Sequence, residues 1–206
     1  MNIKLHVGNG TIYLRDWINC DIKGSRMFYA FERPDLVAQY ETTEDDYYGK
    51  HKSNDIARFR AGPREAQSVC DVDAHFQKLP FPNNFADEIL SRQVWEHMSI
   101  TEARVAREEC LRVLKPNGIL RLDVPDFNES LSKLAETGDP FYARNILGPI
   151  AKGDLGYHCV GYTRESLREL IGASPSRLDP YKFIFMEEEP NIHCYPAFCL
   201  KFRKSI

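Results

Sequence analysis

The feature that most constrains the fold is a succession of short apolar runs, each closed by a residue suited to meeting a ligand. Ile3 to Val7 stops at Gly8-Asn9-Gly10, Trp17 to Ile22 (WINCDI) carries Asp21 at its end, and Ser68 to Val72 carries Asp71. Short apolar runs bounded by turn residues or acids read as buried strands. Ala86 to Ser91 and Ile119 to Val124, the latter stopped by Pro125, continue the series. Between them Thr101 to Leu114 has helical spacing, with Ala103, Ala106, Cys110, Val113 and Leu114 on one face, Thr101 as its cap and Lys115-Pro116-Asn117-Gly118 as its stop. Phe127 to Glu136, closed by Gly138, and a segment after Thr163 with Leu167, Leu170 and Ile171 on one face predict further helices. Tyr181 to Glu187 and Ala197 to Phe202 close the chain with no helix between them, so they pair antiparallel at the far edge. Strands alternating with helices predict an α/β fold: a Rossmann-like, doubly wound, mostly parallel sheet with an antiparallel edge strand.

The length of 206 residues suits a single domain, 1–206, able to bury a core without disulfides or metal. Residues 32–67 interrupt the pattern with a polar, charge-rich insertion. One short helix is expected after Pro34. The rest reads as a surface excursion, either a solvated loop or a lid beside the site. The net charge of -3 supplies no basic field, which argues against a nucleic-acid partner. No run reaches the ~18 apolar residues of a membrane span, and the opening MNIKLHVGNG lacks the features of a signal peptide. Cys20, Cys70, Cys110, Cys159, Cys194 and Cys199 form no C-x-x-C pair, as expected of reduced thiols in a cytoplasmic protein.

In a doubly wound sheet, ligands bind outside the carboxyl ends of the strands. Gly8 and Gly10 let the chain turn sharply and admit a ligand against the backbone. A carboxylate at Asp21 can accept both hydroxyls of a ribose, and one at Asp71 would lie beside an adenine amine. Singly, a G-x-G is a plain turn and an Asp after a strand is a helix cap. In register on successive strands they point to a nucleoside. There is no G-x-x-x-x-G-K-[ST], and Tyr13 breaks the dinucleotide pattern G-x-G-x-x-G. His97 and His158 have the residue type for a general base, although His97 is read first as a buttress for the loop after the fourth strand and His158 equally suits a plain loop residue before a helix. Asp126 is read first as the cap of the helix at Phe127. Trp17 is expected in the core, Trp95 is left open, and Glu96 is expected to be an exposed or capping acid. His158-Cys159, His193-Cys194 and Cys199 fit no standard zinc spacing, so no metal site is expected.

The strings LHVGNG, WINCDI, LPFPNNFADEILSRQVWEHM and EECLRVLKPNGILRLDVPDF resemble the class I S-adenosylmethionine-dependent methyltransferases. They are most similar to a small, type 11-like subgroup with GWINVD and LPFP…EH…RVLKPGG patterns, and DLGYHCVGYTRESLRELI is similar to its later H…YT…L segment. The resemblance implies S-adenosylmethionine as cofactor and methyl transfer to a small-molecule or sugar-like acceptor. The alternative is a catalytically inactive binding or scaffolding protein on the same fold. Carried over position by position, Gly8 and Gly10 would face the methionine part, Asp21 the ribose, and Asp71 and Val72 the adenine, with Asp73 as rival. Ser91, Arg92 and Gln93 would line the methyl-transfer pocket, and His97 matches the EH. Only ten residues separate Gly10 from Asp21, so the usual helix between the first two strands is shortened or absent.

Overall fold

The computed structural model describes residues 2–23, 27–47, 67–148, 157–172 and 183–205. Along them run β1 (Lys4–Val7), β2 (Tyr13–Leu14), β3 (Ile18–Asp21), β4 (Met27–Tyr29), α1 (Pro34–Tyr40), β5 (Glu41–Thr42), β6 (Ser68–Cys70) and β7 (Val72–Asp73). There follow β8 (Ala86–Arg92), a 3-10 turn at Trp95–His97, α2 (Ile100–Val113), β9 (Leu114–Pro125), α3 (Phe127–Thr137), α4 (Pro140–Leu147), α5 (Arg164–Gly172), β10 (Phe183–Glu189) and β11 (Ala197–Lys204).

Seven strands form one sheet in the order β7-β3-β1-β8-β9-β11-β10. β1 pairs in parallel with β3 and β8, β3 with β7, and β8 with β9, while β11 runs antiparallel to both β9 and β10. The expected antiparallel pairing of the closing strands is present. The reversed strand itself lies one place inside the edge, and β10 is outermost. The chain winds outward from β1 through β3 to β7, then returns to β8 on the other side of β1. That reversal is the switch point at which such sheets bind ligands.

Alternation along the strands separates two unlike faces. Leu5, Val7, Ile89, Leu120, Leu122, Val124, Phe198, Leu200 and Phe202 join Ala103, Ala106, Cys110, Val113, Leu167 and Ile171 of α2 and α5 in the main core. Each Val, Leu, Ile or Phe among them contributes about 1.5–3 kcal/mol when fully buried. Arg107, itself buried, ties the two helices by donating from Nε to the carbonyl of Ile171 at 2.9 Å. The intervening strand residues carry polar groups instead. Arg92 Nη1 bonds Asp123 Oδ2 at 2.7 Å, and Arg121 meets Glu88 at 3.1 Å, Glu189 at 2.7 Å and Glu44.

No helix joins β1 to β3. A loop bearing β2 takes its place, and Ile12, Leu14 and Trp17 pack with Leu90 and Tyr47 as a second cluster. Tyr47 belongs to the polar insertion, and its hydroxyl bonds His6 Nε2 at 2.8 Å. Leu36 and Tyr40 of α1 bury against Val69. Residues 34–47 are therefore built into the fold instead of forming a surface excursion, and residues 48–66 lie outside the described residues.

Two further expectations change. α2 is capped by Ser99 and not by Thr101: Ser99 Oγ accepts from the Glu102 amide and the Glu102 carboxylate accepts from the Ser99 amide, a reciprocal capping box. α4 was not foreseen, although Asp139 caps it, accepting from the Phe141 amide at 2.9 Å, and Pro140 opens it. Among the described residues no helix is long and apolar enough to cross a membrane.

Candidate functional site

A cavity of about 480 Å³ opens at the switch point, lined by Val7, Gly8, Gly10, Asp21, Ile22, Ala74, His75, Phe76, Gln77, Gln93, Val94, His97, Met98 and Glu102. Its volume is in the range of small-ligand sites. The loop after β1 forms one wall. Gly8 turns the chain with φ 77°, and the amides of Gly8 and Asn9 both donate to the Cys20 carbonyl, at 2.7 and 3.3 Å. Asn9 Nδ2 anchors the loop from beneath by donating to the carbonyls of Val69 at 2.9 Å and Ile12 at 3.2 Å. A Cβ on Gly8 would overlap Val94 Cγ2 and stand 3.1 Å from its Cγ1, so only glycine fits there.

Asp21 ends β3 with both oxygens oriented by main chain: Oδ2 accepts from the Gly10 amide and Oδ1 from the Ile22 amide, each at 2.7 Å. Burial raises its carboxyl above the ordinary value, and the two amides oppose that rise. Each carboxylate oxygen keeps acceptor capacity for a ligand.

Gly8, Gly10, Asp21, Gln93 and His97 thus meet at one cavity, and Asp71, Val72, Ser91, Arg92 and His158 do not line it. The expected pair of acids facing a common cleft is not formed. Asp71 sits at the break between β6 and β7 and is used as a strut: Oδ1 accepts from the Tyr13 hydroxyl at 2.6 Å, and Oδ2 accepts from the Asn19 amide at 2.7 Å and its side chain at 3.3 Å. Asp73 accepts from the Lys23 amide at 2.8 Å and is exposed. The wall next to Asp21 is made by Ala74 to Gln77 instead. Val72 packs against the main core, and Ser91 is fully buried.

Arg92 belongs to the polar face of the sheet, its guanidinium 4.7 Å from the Tyr47 ring centroid. There Asp123 accepts from Arg92, from Gln93 Nε2 at 2.6 Å and from His193 Nε2 at 2.7 Å. Burial pulls the Asp123 carboxyl up, but His193 and Arg92 outweigh it and leave the group below its ordinary value. Gln93 has φ 58°, a left-handed conformation rarely held by a non-glycine residue, and its amide donates to the Asp123 carbonyl at 2.8 Å. Side chain and backbone of Gln93 are both fixed by one residue, which holds the cavity wall after β8. His193 reaches Asp123 from the link between β10 and β11, 70 residues along the chain, and no local pattern pointed to it.

The 3-10 turn supplies the far wall. Trp95 is a core residue, edge-on to Phe76 at 5.6 Å between ring centroids. Glu96 is buried, which corrects its expected exposure, and among the described residues neither of its carboxylate oxygens has a hydrogen-bond partner. Burial pushes its carboxyl up to about 8. The amides of Cys159 and Val160 donate to the Glu96 carbonyl at 2.7 and 3.2 Å, which docks residues 157–160 on the turn. His158 thereby comes beside His97, the rings crossing at 77° with centroids 4.9 Å apart. Burial lowers His97 below its ordinary value and brings His158 to about 4. Asp126 caps α3, accepting from the Glu129 amide at 3.0 Å, and pairs with Arg164.

Residues 49–122 match the family model described as a methyltransferase domain. No curated protein matches the chain. A S-adenosylmethionine-dependent methyltransferase from Methanosarcina mazei is similar in structure at TM-score 0.52 and 15% identity, over 100% of this chain and 92% of that one. The 1,6-didemethyltoxoflavin-N1-methyltransferase of Burkholderia thailandensis, solved with its substrate and S-adenosylhomocysteine, is similar at TM-score 0.51 and 13% identity, over 99% and 71%. The small RNA methyltransferase HEN1 is similar at TM-score 0.50 and 13% identity, over 98% of this chain and 23% of that one. At such identities the likeness establishes the Rossmann-like fold and selects neither an activity nor an acceptor.

Proposed function

We propose that this chain is a S-adenosylmethionine-dependent methyltransferase acting on a small-molecule or sugar-like acceptor. The observation that carries this is the convergence of Gly8, Gly10 and Asp21 on one cavity at the switch point of the sheet. The methyltransferase-domain match supports the same class, as does the bound S-adenosylhomocysteine of the Burkholderia enzyme. Asp21, held by the Gly10 and Ile22 amides, accepts the ribose hydroxyls of the cofactor. The glycine loop, which has no Cβ at Gly8 or Gly10 to fill the space, takes the methionine part. The adenine lies along Ala74 to Gln77, the stretch that replaces Asp71 and Val72 in that role.

Methyl transfer is an in-line displacement: the acceptor's lone pair bonds the methyl carbon while the carbon–sulfur pair returns to sulfur and S-adenosylhomocysteine leaves. Alignment supplies much of the rate, since well-oriented reactions reach effective molarities of roughly 10⁵–10⁸ M. Gln93, fixed by Asp123, and Val94 stand beside the reacting centre. The acceptor's proton passes to solvent on the side walled by His97, with His158 behind it. A near-neutral protein whose cavity is small and partly apolar favours a compact acceptor over a polyanion.

Calorimetry with S-adenosylhomocysteine tests the proposal. Wild type should bind one equivalent, and Asp21→Ala should weaken binding by at least ~10-fold, the worth of one charge-assisted hydrogen bond. No binding by folded wild type, or equal binding by the variant, rejects it.

A further inference from the structure

We propose that Glu96, His97 and His158 form a binding site for one divalent transition-metal cation at the edge of the cavity. Nε2 of each histidine lies 3.9 Å from Glu96 Oε1, and one candidate ligand atom from each of the three residues falls within 4.8 Å of the others. Ligands bound at about 2.0–2.2 Å stand ~3–3.5 Å apart, so small side-chain movements close the shell on an ion.

Three observations support a cation in particular. Glu96 has 2% of its side chain exposed and no hydrogen-bond partner for either oxygen among the described residues. A buried carboxyl group is rarely left without any partner, and its ionised form needs pairing or a metal. Next, His97 Nδ1 lies 3.0 Å from the Tyr157 carbonyl. With the proton on that nitrogen, Nε2 presents its lone pair toward Glu96, the outer-shell arrangement typical of metal-bound histidines. Finally, the cluster is assembled from two distant segments by backbone hydrogen bonds to the Glu96 carbonyl, so its geometry is imposed by the fold.

Two imidazoles and a carboxylate suit Zn²⁺, Mn²⁺, Fe²⁺ or Co²⁺ better than Ca²⁺ or Mg²⁺. Three protein ligands leave coordination positions open for an oxygen from outside. His97 belongs both to this group and to the cavity wall. On the methyltransferase proposal above, a cation held by Glu96, His97 and His158 would acidify an acceptor hydroxyl, whose proton would pass to solvent as the oxygen displaces S-adenosylhomocysteine from the methyl carbon. The two histidines then act as ligands and not as bases.

The test is metal binding by the chelator-stripped full chain, which needs no turnover. Titration with Co²⁺ should give one equivalent with visible d–d absorption, displaced by Zn²⁺. Glu96→Gln and His158→Ala, each checked for fold by circular dichroism, should each weaken binding at least ~10-fold, whereas Cys159→Ser should not. Absence of stoichiometric binding by wild type, or unchanged binding in both ligand variants, overturns the site. Metal binding without S-adenosylhomocysteine binding would retain the site and remove only the methyltransferase function.

Discussion

Gly8→Ala tests how the loop after β1 shapes the cavity. Two costs are separable. At φ 77° an alanine pays the left-handed penalty, roughly 1–2 kcal/mol. The new Cβ also overlaps Val94 Cγ2 and lies 3.1 Å from Cγ1 and 3.2 Å from Cβ of the same residue. Three atoms of one stiff, β-branched side chain are too close, so rotation about χ1 cannot relieve all of them. Overpacking of this kind costs about 1–3 kcal/mol. The sum, ~2–5 kcal/mol, is a large part of the ~5–15 kcal/mol that stabilises a typical domain. Urea unfolding of wild type, Gly8→Ala, Val94→Ala and the double variant separates the two parts. Removing the Val94 methyls should recover the overpacking share, a coupling of about 1–3 kcal/mol, and leave the backbone share in place. Because Val94 also lines the cavity, the single variant should weaken S-adenosylhomocysteine binding and the double variant should regain part of it. A Gly8→Ala loss below ~0.5 kcal/mol, within the range of ordinary surface changes, or strictly additive effects, would refute the close approach.

Asp123→Asn should cost about 3–5 kcal/mol in urea unfolding, because it leaves Arg92 buried without its counter-charge. A loss under ~1 kcal/mol would mean that the network is solvated. Asp71→Ala should destabilise by roughly 1–3 kcal/mol, as Tyr13 and Asn19 lose their acceptor, while S-adenosylhomocysteine affinity stays within a few-fold of wild type. A selective loss of affinity would return Asp71 to the ligand. Burial lowers His6 to about 3. Its folded value lies below the unfolded value near ~6.5, so the unfolded chain binds the proton first. The contribution of His6 is therefore complete above the unfolded value and is lost as pH falls from there toward about 3. Its ring resonances should not titrate between pH 7 and 4.5, and a midpoint near 6.5 would contradict the buried contact with Tyr47.

The core strands were legible because their apolar runs are local and bounded: Lys4–Val7, Ile18–Asp21 and Ala86–Arg92 fall within a residue or two of the expected limits. The convergence of Gly8, Gly10 and Asp21 on one cavity was legible too, because each stands at or just past a strand's end. Asp71 was not, because its role depends on Tyr13 and Asn19, which reach it only after folding. Glu96 misled for a related reason: its burial is created by residues 157–160 docking from far along the chain. The insertion looked like solvated loop by composition, yet one tyrosine, Tyr47, anchors it under the sheet. At the end of α2 the breakers Lys115 to Gly118 mark no loop. β9 begins at Leu114, and the irregularity is absorbed by the left-handed Asn117 and a register shift against β8.

In the pose proposed above, an adenosyl group occupies the cavity with its sugar on Asp21 and its base along Ala74 to Gln77. A crystal structure with S-adenosylhomocysteine measures this directly. The ribose oxygens should lie about 2.5–3.0 Å from the Asp21 carboxylate and the purine against Phe76. Density for the ligand elsewhere, or a ribose turned away from Asp21, would contradict it.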